Sequence, residues 1–279
     1  MTVPSGESTL AQATAALPLT VLLEPSHVTV TGRVVICGQA AMQSYGAFAS
    51  FYDSVMGDRA DHAAYVRGLI ERHHPGAGTV LELACGTGSI LKQLRSDFEV
   101  TGVDLSAAML AIAAEKVPEA RLIQADMTEV SLDETFDVVL CVYDSINHLL
   151  TFSQWEALFA RAREHLSNRG IFVFDINTEY RLREVVAQPQ QAIWFGDNLL
   201  LMDVVDAEVG GVVHWHLQVF ECQEESIYQL HSERIPEISF SVERIKGSLG
   251  DRFRRIRVYD QQRARPSKKS GRLHFVCER

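Results

Sequence analysis

The chain has 279 residues, 47% hydrophobic and 22% charged, with 26 basic and 36 acidic side chains giving a formal net charge of -10. Those proportions exclude global disorder, a collagen-like fibre and a disulfide-stapled scaffold, and leave one large or two small domains with ample apolar material for a core. The acidic balance works against coating nucleic acid or an anionic membrane, while leaving a local basic patch open.

Residues 1–41 are rich in Ala, Thr, Val, Ser and Pro and hold no sustained period. A poorly ordered extension, or a loosely docked strand pair using VTVTGRVVICG, is expected there. Met42 opens the patterned part of the chain and is a candidate for its true start. Apolar positions Ala64, Tyr65, Leu69 and Ile70 predict an amphipathic helix over 60–74, ended by Pro75-Gly76. Strands are expected at 79–84, 98–103, 121–125, 136–142 and 170–176, with helices at 89–95, 106–115 and 154–166. Ser106 is the expected N-cap of its helix. The unbroken apolar run FDVVLCVY marks a strand buried on both faces. Such alternation predicts βαβ units and a parallel sheet with helices on both faces.

After Tyr180 the rhythm becomes period two. Val213, Trp215, Leu217 and Val219 alternate with His214, His216 and Gln218. An antiparallel excursion over 192–236 follows from that pattern. A short helix at 240–249 and two closing strands at 253–259 and 272–277 end the chain. The five cysteines, Cys37, Cys85, Cys141, Cys222 and Cys277, form no CxxC pair, which suits reduced thiols in a cytoplasm. The apolar runs are shorter than the ~20 residues a membrane span takes. The first basic residue is Arg33, so no secretory n-region is present.

The sharpest segment is VLELACGTG. A strand ends in Glu82, and the small residues Ala84, Gly86 and Gly88 make a tight turn before a helix. Such residues tolerate positive φ and let a ligand approach the backbone. Their spacing differs from G-x-G-x-x-G, and no G-x-x-x-x-G-K-[ST] is present. Asp104 ends the second strand, where a carboxylate can accept hydrogen bonds from both hydroxyls of a ribose. After the third strand, Asp126 can accept from an adenine amino group while Met127 packs on the ring.

Together these residues resemble class I S-adenosylmethionine-dependent methyltransferases, from about Tyr45 to Tyr180. The motifs are ELACGTGS, GVDLSAAML, QADM, FDVVLCVYDSINHLL and HLSNRGIFVFDIN. One departure is Ala84, where many members carry Gly. A finer resemblance, through Tyr45–Met56 and YDSINHLL, is to small bacterial methyltransferases related to aminosugar N,N-dimethyltransferases. The resemblance implies an α/β Rossmann-like seven-stranded sheet with a reversed final hairpin, helices on both faces and an inserted antiparallel β cap. It implies a cofactor-binding core over 42–180, a substrate cap over 181–238 and a closing helix and hairpin over 239–279. Residues 42–279 then form the methyltransferase domain.

The implied cofactor is S-adenosyl-L-methionine, held by Tyr45, Glu82, Ala84, Gly86, Gly88, Asp104, Leu105, Asp126, Met127 and Cys141. Tyr143, Asp144, Asn147 and His148 are expected to bind the acceptor. His148, as orienting group or general base, and Tyr52, near the sulfonium or acceptor, are the candidate catalytic residues. Tyr45 and Tyr52 could instead be core aromatics of the first helix. Methyl transfer from a sulfonium is an in-line displacement needing no metal, so none is expected. His214 and His216 have H-x-H spacing but no third ligand, and read better as a solvated face or as pocket lining. Cys85 reads as a small filler. The expected acceptor is a small molecule methylated at N or O, and the protein a monomer or homodimer away from membranes. The alternatives are RNA methylation, a non-catalytic cofactor-binding protein, or a nicotinamide enzyme, against which the glycine spacing argues. RNA would be met through the basic stretch Arg252, Arg254, Arg255, Arg257, Arg263, Arg265, Lys268 and Lys269.

Overall fold

A computed structural model describes residues 16–21, 30–35, 48–206, 210–224 and 227–279. Met42 and Tyr45 lie outside the described residues. The chain runs β1 (Ala16–Val21), β2 (Val30–Val35), α1 (Ala49–Met56), α2 (Ala60–His73), β3 (Thr79–Leu83), α3 (Ser89–Leu94), β4 (Glu99–Asp104), α4 (Ala107–Lys116) and β5 (Arg121–Gln124). It continues through β6 (Phe136–Cys141), a 3-10 turn at Ser145–His148, α5 (Phe152–Glu164), β7 (Leu166–Asn177), α6 (Glu179–Val186), β8 (Gln191–Phe195) and β9 (Asn198–Asp206). The last elements are β10 (Val213–Glu224), β11 (Ile227–Glu237), α7 (Val242–Gly250), β12 (Arg255–Tyr259) and β13 (Arg272–Glu278).

The main sheet has seven strands in the order β12-β13-β7-β6-β3-β4-β5. Strands β3 to β7 are parallel, and β13 returns antiparallel between β7 and β12. The chain reverses direction across the sheet between β3 and β6, which opens a crevice at their carboxyl ends. Two apolar clusters cover the two faces. One gathers Trp155, Phe159, Phe172, Phe174 and Phe275, and the other Val66, Ile70, Leu91, Val138 and Val173.

Local signals explain the boundaries. Ser106 caps α4 by accepting from Met109 N. Helix α5 begins two residues before the expected Gln154, because Thr151 and Gln154 form a reciprocal capping box. Helix α6 was not expected. Thr178 caps it, and it buries Leu182 and Val185 beneath the second sheet.

That second sheet is separate, with the order β1-β2-β11-β10-β9-β8. It is antiparallel except where β2 runs parallel to β11. The segment expected as an extension or strand pair thus carries two strands at the edge of the cap. Contacts that stitch cap to core include Ile238 N donating to Asn147 O at 2.9 Å and His148 Nδ1 lying 3.2 Å from Pro236 O. No helix among the described residues is long and apolar enough to cross a membrane.

Candidate active site

Strand β3 delivers Glu82 and then the turn Ala84–Ser89. Ala84, Gly86 and Gly88 have φ of 59°, 53° and 72°, so the backbone there is left-handed at three places within five residues. Asp104, at the end of β4, braces the turn: its carboxylate accepts from Gly86 N at 2.7 Å and from Ser106 N at 2.8 Å. Burial pushes the Asp104 carboxyl up, against the pull of those two amides. Gly102, inside β4, makes room for the turn. A Cβ there would lie 2.8 Å from Cys85 Sγ and 2.7 Å from Leu91 Cδ1. Cys85 is therefore packing, as expected, and burial pushes its thiol up. Glu82 is buried, and its Oε2 has no hydrogen-bond partner among the described residues. Burial, helped by Asp104, pushes its carboxyl well up.

Helix α1 closes over this turn. Asp53 Oδ1 accepts from Thr87 Oγ1 at 2.7 Å and Ser89 Oγ at 3.2 Å, and Asp53 Oδ2 accepts from Lys116 Nζ at 2.6 Å. The other side of α1 packs on the cap. Phe48, Phe51 and Tyr52 meet Leu200, Leu217, Val219 and Ile235, and Phe48 N donates to Glu233 Oε2 at 3.2 Å.

Between α1, the cap and the ends of β6, β7 and β13 lies a cavity of about 640 Å³. Its apolar wall includes Phe48, Ile193, Leu200, Trp215 and Leu217, and its polar end Asp144, Asn177, Glu237 and Arg272. A smaller cavity at the Glu82–Ser89 turn shares Tyr52, Arg59 and Tyr143 with it. Arg59 sits over the Tyr143 ring, 4.0 Å from its centroid, and 5.7 Å from that of Tyr52.

The polar end is organised by Asp175, a fully buried carboxylate on β7. It accepts from Tyr143 N at 2.6 Å and Asp144 N at 3.2 Å. These bonds hold two non-glycine residues at φ of 59° and 51°, strain of the kind that clusters at functional sites. Arg272 on β13 ties Asp175 Oδ2, at 2.6 Å, to Asp144 Oδ1. Burial alone would raise the Asp175 carboxyl, but Arg272, His274, His62 and the Asp144 amide together outweigh it and hold it below its ordinary value. Glu237 is different. Burial, with Asp144 beside it, pushes its carboxyl up to about 8.

Residues 80–170 match a family described as a methyltransferase domain. The chain is 30% identical over 249 residues to the putative methyltransferase YqeM of Bacillus subtilis, covering 84% of this chain and 97% of that one. It belongs to the S-adenosylmethionine-dependent methyltransferases. The dTDP-3-amino-3,6-dideoxy-alpha-D-glucopyranose N,N-dimethyltransferase of Streptomyces fradiae is 38% identical over 135 residues, 47% of this chain and 53% of that one. A solved S-adenosylmethionine-dependent methyltransferase from Clostridium acetobutylicum shares the fold, with a TM-score of 0.73 at 23% identity over 84% of this chain and 98% of that one.

The methyltransferase turn suits its cofactor chemically. Glu82 Oε2, without a hydrogen-bond partner among the described residues, offers an acceptor to a cationic or N–H donor, and the left-handed turn exposes backbone to a ligand. Leu105 follows Asp104 and is 66% exposed, an apolar surface open to a flat ring. Asp126 Oδ1 accepts from Thr128 N and Oγ1, both at 2.7 Å, which fixes the loop carrying Met127. Cys141 is fully buried with Sγ 4.0 Å from Met127 Sδ, so its side chain supports Met127 from beneath instead of meeting a ligand.

Other expectations shift. Asn147 does not line the large cavity. Its amide is fully buried and engaged on every side, donating to Asn177 O at 2.9 Å and Ile238 O at 2.8 Å and accepting from Asn177 N at 3.0 Å. It braces cap to core. Tyr52 lines both cavities, but the cationic partner expected of its ring is supplied by Arg59. Tyr143 and Asp144 line the large cavity. His148 stands at the cap contact, and burial pulls its imidazole down, which favours the neutral ring. From β10 it is Trp215 and Leu217 that face the cavity, while His214 and His216 lie on the opposite face. In the basic stretch, Arg254, Arg255 and Arg257 converge on Glu278.

Sequence reasoning did not single out Arg59, His62, Asp175, Glu237 or Arg272. Asp175 left a trace, a lone acid in the apolar run IFVFDIN. The others left none, because each has a partner far along the chain, Tyr143 for Arg59 and Asp144 for Arg272 among them.

Proposed function

We propose that this methyltransferase moves a methyl group from S-adenosylmethionine to an amino nitrogen of a small polar molecule, of the amino-sugar kind. The observation that carries the reading is the pair of adjoining cavities. The glycine-turn cavity and the about 640 Å³ chamber share Tyr52, Arg59 and Tyr143, so a donor and an acceptor would meet there. Two carboxyls at the polar end of the chamber suit an amine, and the amino-sugar N,N-dimethyltransferase relative points the same way.

In this reading Asp104 holds the ribose, Glu82 the amino-acid end of the cofactor, and Asp126, Leu105 and Met127 the adenine. When bound, the cofactor supplies an electrophilic methyl carbon whose C–S electron pair stays on sulfur. The protein contributes position and exclusion of water. His148 can donate from Nδ1 to Pro236 O, which fixes its ring at the joint between cap and core. Tyr52, kept protonated by burial, supplies a hydroxyl at the junction. We place the enzyme in the cytoplasm; Cys85, Cys141, Cys222 and Cys277 are free thiols, which suits a reducing compartment.

The test is a radiolabelled methyl-transfer assay on dTDP-amino sugars, a metabolite extract and tRNA transcripts side by side. Label is expected in amine-bearing small molecules. Robust labelling of tRNA with none in small molecules would sink the proposal.

A further inference from the structure

Two carboxyls face each other at the polar end of the large cavity. Asn177 joins them: its Nδ2 donates to Asp144 Oδ2 at 2.9 Å and to Glu237 Oε2 at 3.2 Å. One amide nitrogen with two hydrogens thus serves both acids. The positive charge available is unequal. Arg272 contacts Asp144 and Asp175, while Glu237 has no cationic partner within ion-pair distance among the described residues. Glu237 is nevertheless 4% exposed and lines the cavity.

Two of the three acids, Asp144 and Asp175, thus take the one guanidinium, and buried Glu237 is left beside Asp144 without an ion-pair partner among the described residues. Neighbouring carboxylates cannot both ionise without a counter-charge, so one keeps a proton until a cation arrives. We propose that Glu237, paired with Asp144, is the catalytic group that recognises the acceptor ammonium and takes its proton before methyl transfer. The proposal rests on the amine-methyltransferase reading above and assigns a residue to its proton.

The charge balance is as follows. An entering ammonium displaces the Glu237 carboxyl proton to solvent and pairs with the resulting carboxylate. One N–H proton then moves to a Glu237 oxygen, restoring the acid and freeing the nitrogen lone pair. That lone pair forms the N–C bond, and the C–S pair stays on sulfur. The sum is one proton lost to solvent per amine bound in reactive form. A carboxyl lifted to about 8 matches an amine well, since proton transfer is easiest between groups of similar basicity. The charged groups bearing on Glu237 are Asp144 from the turn after β6 and Arg272 from β13, with Asn177 of β7 as its hydrogen-bond donor. His148 holds the carbonyl of the preceding Pro236.

Glu237→Gln keeps the shape and the bond from Asn177 but cannot ionise. The probes are the dTDP-3-amino sugar named for the Streptomyces fradiae relative and its 3-hydroxy counterpart, titrated calorimetrically at pH 7 with S-adenosylhomocysteine bound. Buffers of different ionisation enthalpy report proton release. The wild type is expected to prefer the amine at least ~tenfold and to release about one proton per amine bound. Glu237→Gln is expected to lose both the preference and the proton release, with S-adenosylhomocysteine affinity and thermal midpoint retained. Equal discrimination and proton release in Glu237→Gln would overturn the assignment, as would a wild type with no preference. A wild type that does not bind S-adenosylhomocysteine would instead overturn the methyltransferase reading beneath it.

Discussion

Lys116 Nζ lies 2.6 Å from Asp53 Oδ2, and that pair fastens helix α1 to helix α4 across the glycine turn. Lys116 also donates to Thr87 Oγ1 and Ser89 Oγ, each at 2.9 Å. Burial alone would raise the Asp53 carboxyl, but the hydrogen bonds from Lys116, Thr87 and Ser89 outweigh it and hold it below its ordinary value. The lid carrying Tyr52 is thus latched to the turn. Lys116→Met should weaken S-adenosylhomocysteine binding by roughly 3- to 10-fold, about the worth of one charge-assisted bond in a partly exposed site. Calorimetry checks this, and unchanged affinity would mean that Phe48 and Phe51 alone hold α1.

Asp104→Ala is expected to weaken cofactor binding by at least ~tenfold, because it removes the carboxylate proposed for the ribose and the brace of Gly86 N. Affinity near that of the wild type would place the ribose elsewhere.

Ala84 occupies a left-handed backbone at φ 59°, a conformation that crowds its Cβ. Ala84→Gly should therefore raise unfolding stability by about 1 kcal/mol, after the extra chain entropy of glycine is subtracted. Urea titration measures it. A loss of stability would show that packing around the alanine Cβ outweighs the strain.

For His148→Ala, lower turnover with retained S-adenosylhomocysteine affinity is expected. The imidazole holds Pro236 O at the joint between cap and core and is not in the lining of either cavity, so its loss is expected to shift the cap and leave the cofactor turn in place. Normal turnover would remove His148 from the mechanism.

His62 supplies a pH dependence. Burial pulls its imidazole from 6.5 to about 4, with Asp175 pulling the other way and His274 and Arg272 adding to the fall. The unfolded chain binds the proton more readily. Stability is therefore full above about 6.5 and declines as pH falls towards 4, by up to ~1 kcal/mol per pH unit. His62→Gln should flatten that slope in acid denaturation. An unchanged slope would assign acid sensitivity to other groups.

Much of the core was legible because its signals are local. The capping of α4 by Ser106, the apolar run of β6 and the small-residue turn after Glu82 each depend on neighbours within a few positions. The polar end of the large cavity was not legible for the opposite reason. Asp144 and Arg272 are 128 residues apart, and Asn147 meets Ile238 across 91. Asn147 was expected at the substrate because it sits in a motif after β6. Its burial and its three amide hydrogen bonds became visible only once the chain after β11 folded back upon it.

The net charge of -10 and the strand–helix alternation determined a parallel α/β chain with a nucleotide-type turn and no bulk attraction to polyanions. Periodicity and short motifs are properties of consecutive residues, so the sequence carries them outright. What only the tertiary structure decided is the charge at the polar end of the large cavity. Folding brings Asp144, Asp175 and Glu237 around Arg272 from four separate elements. Burial then makes their shared charge count for far more than the same residues exposed to water.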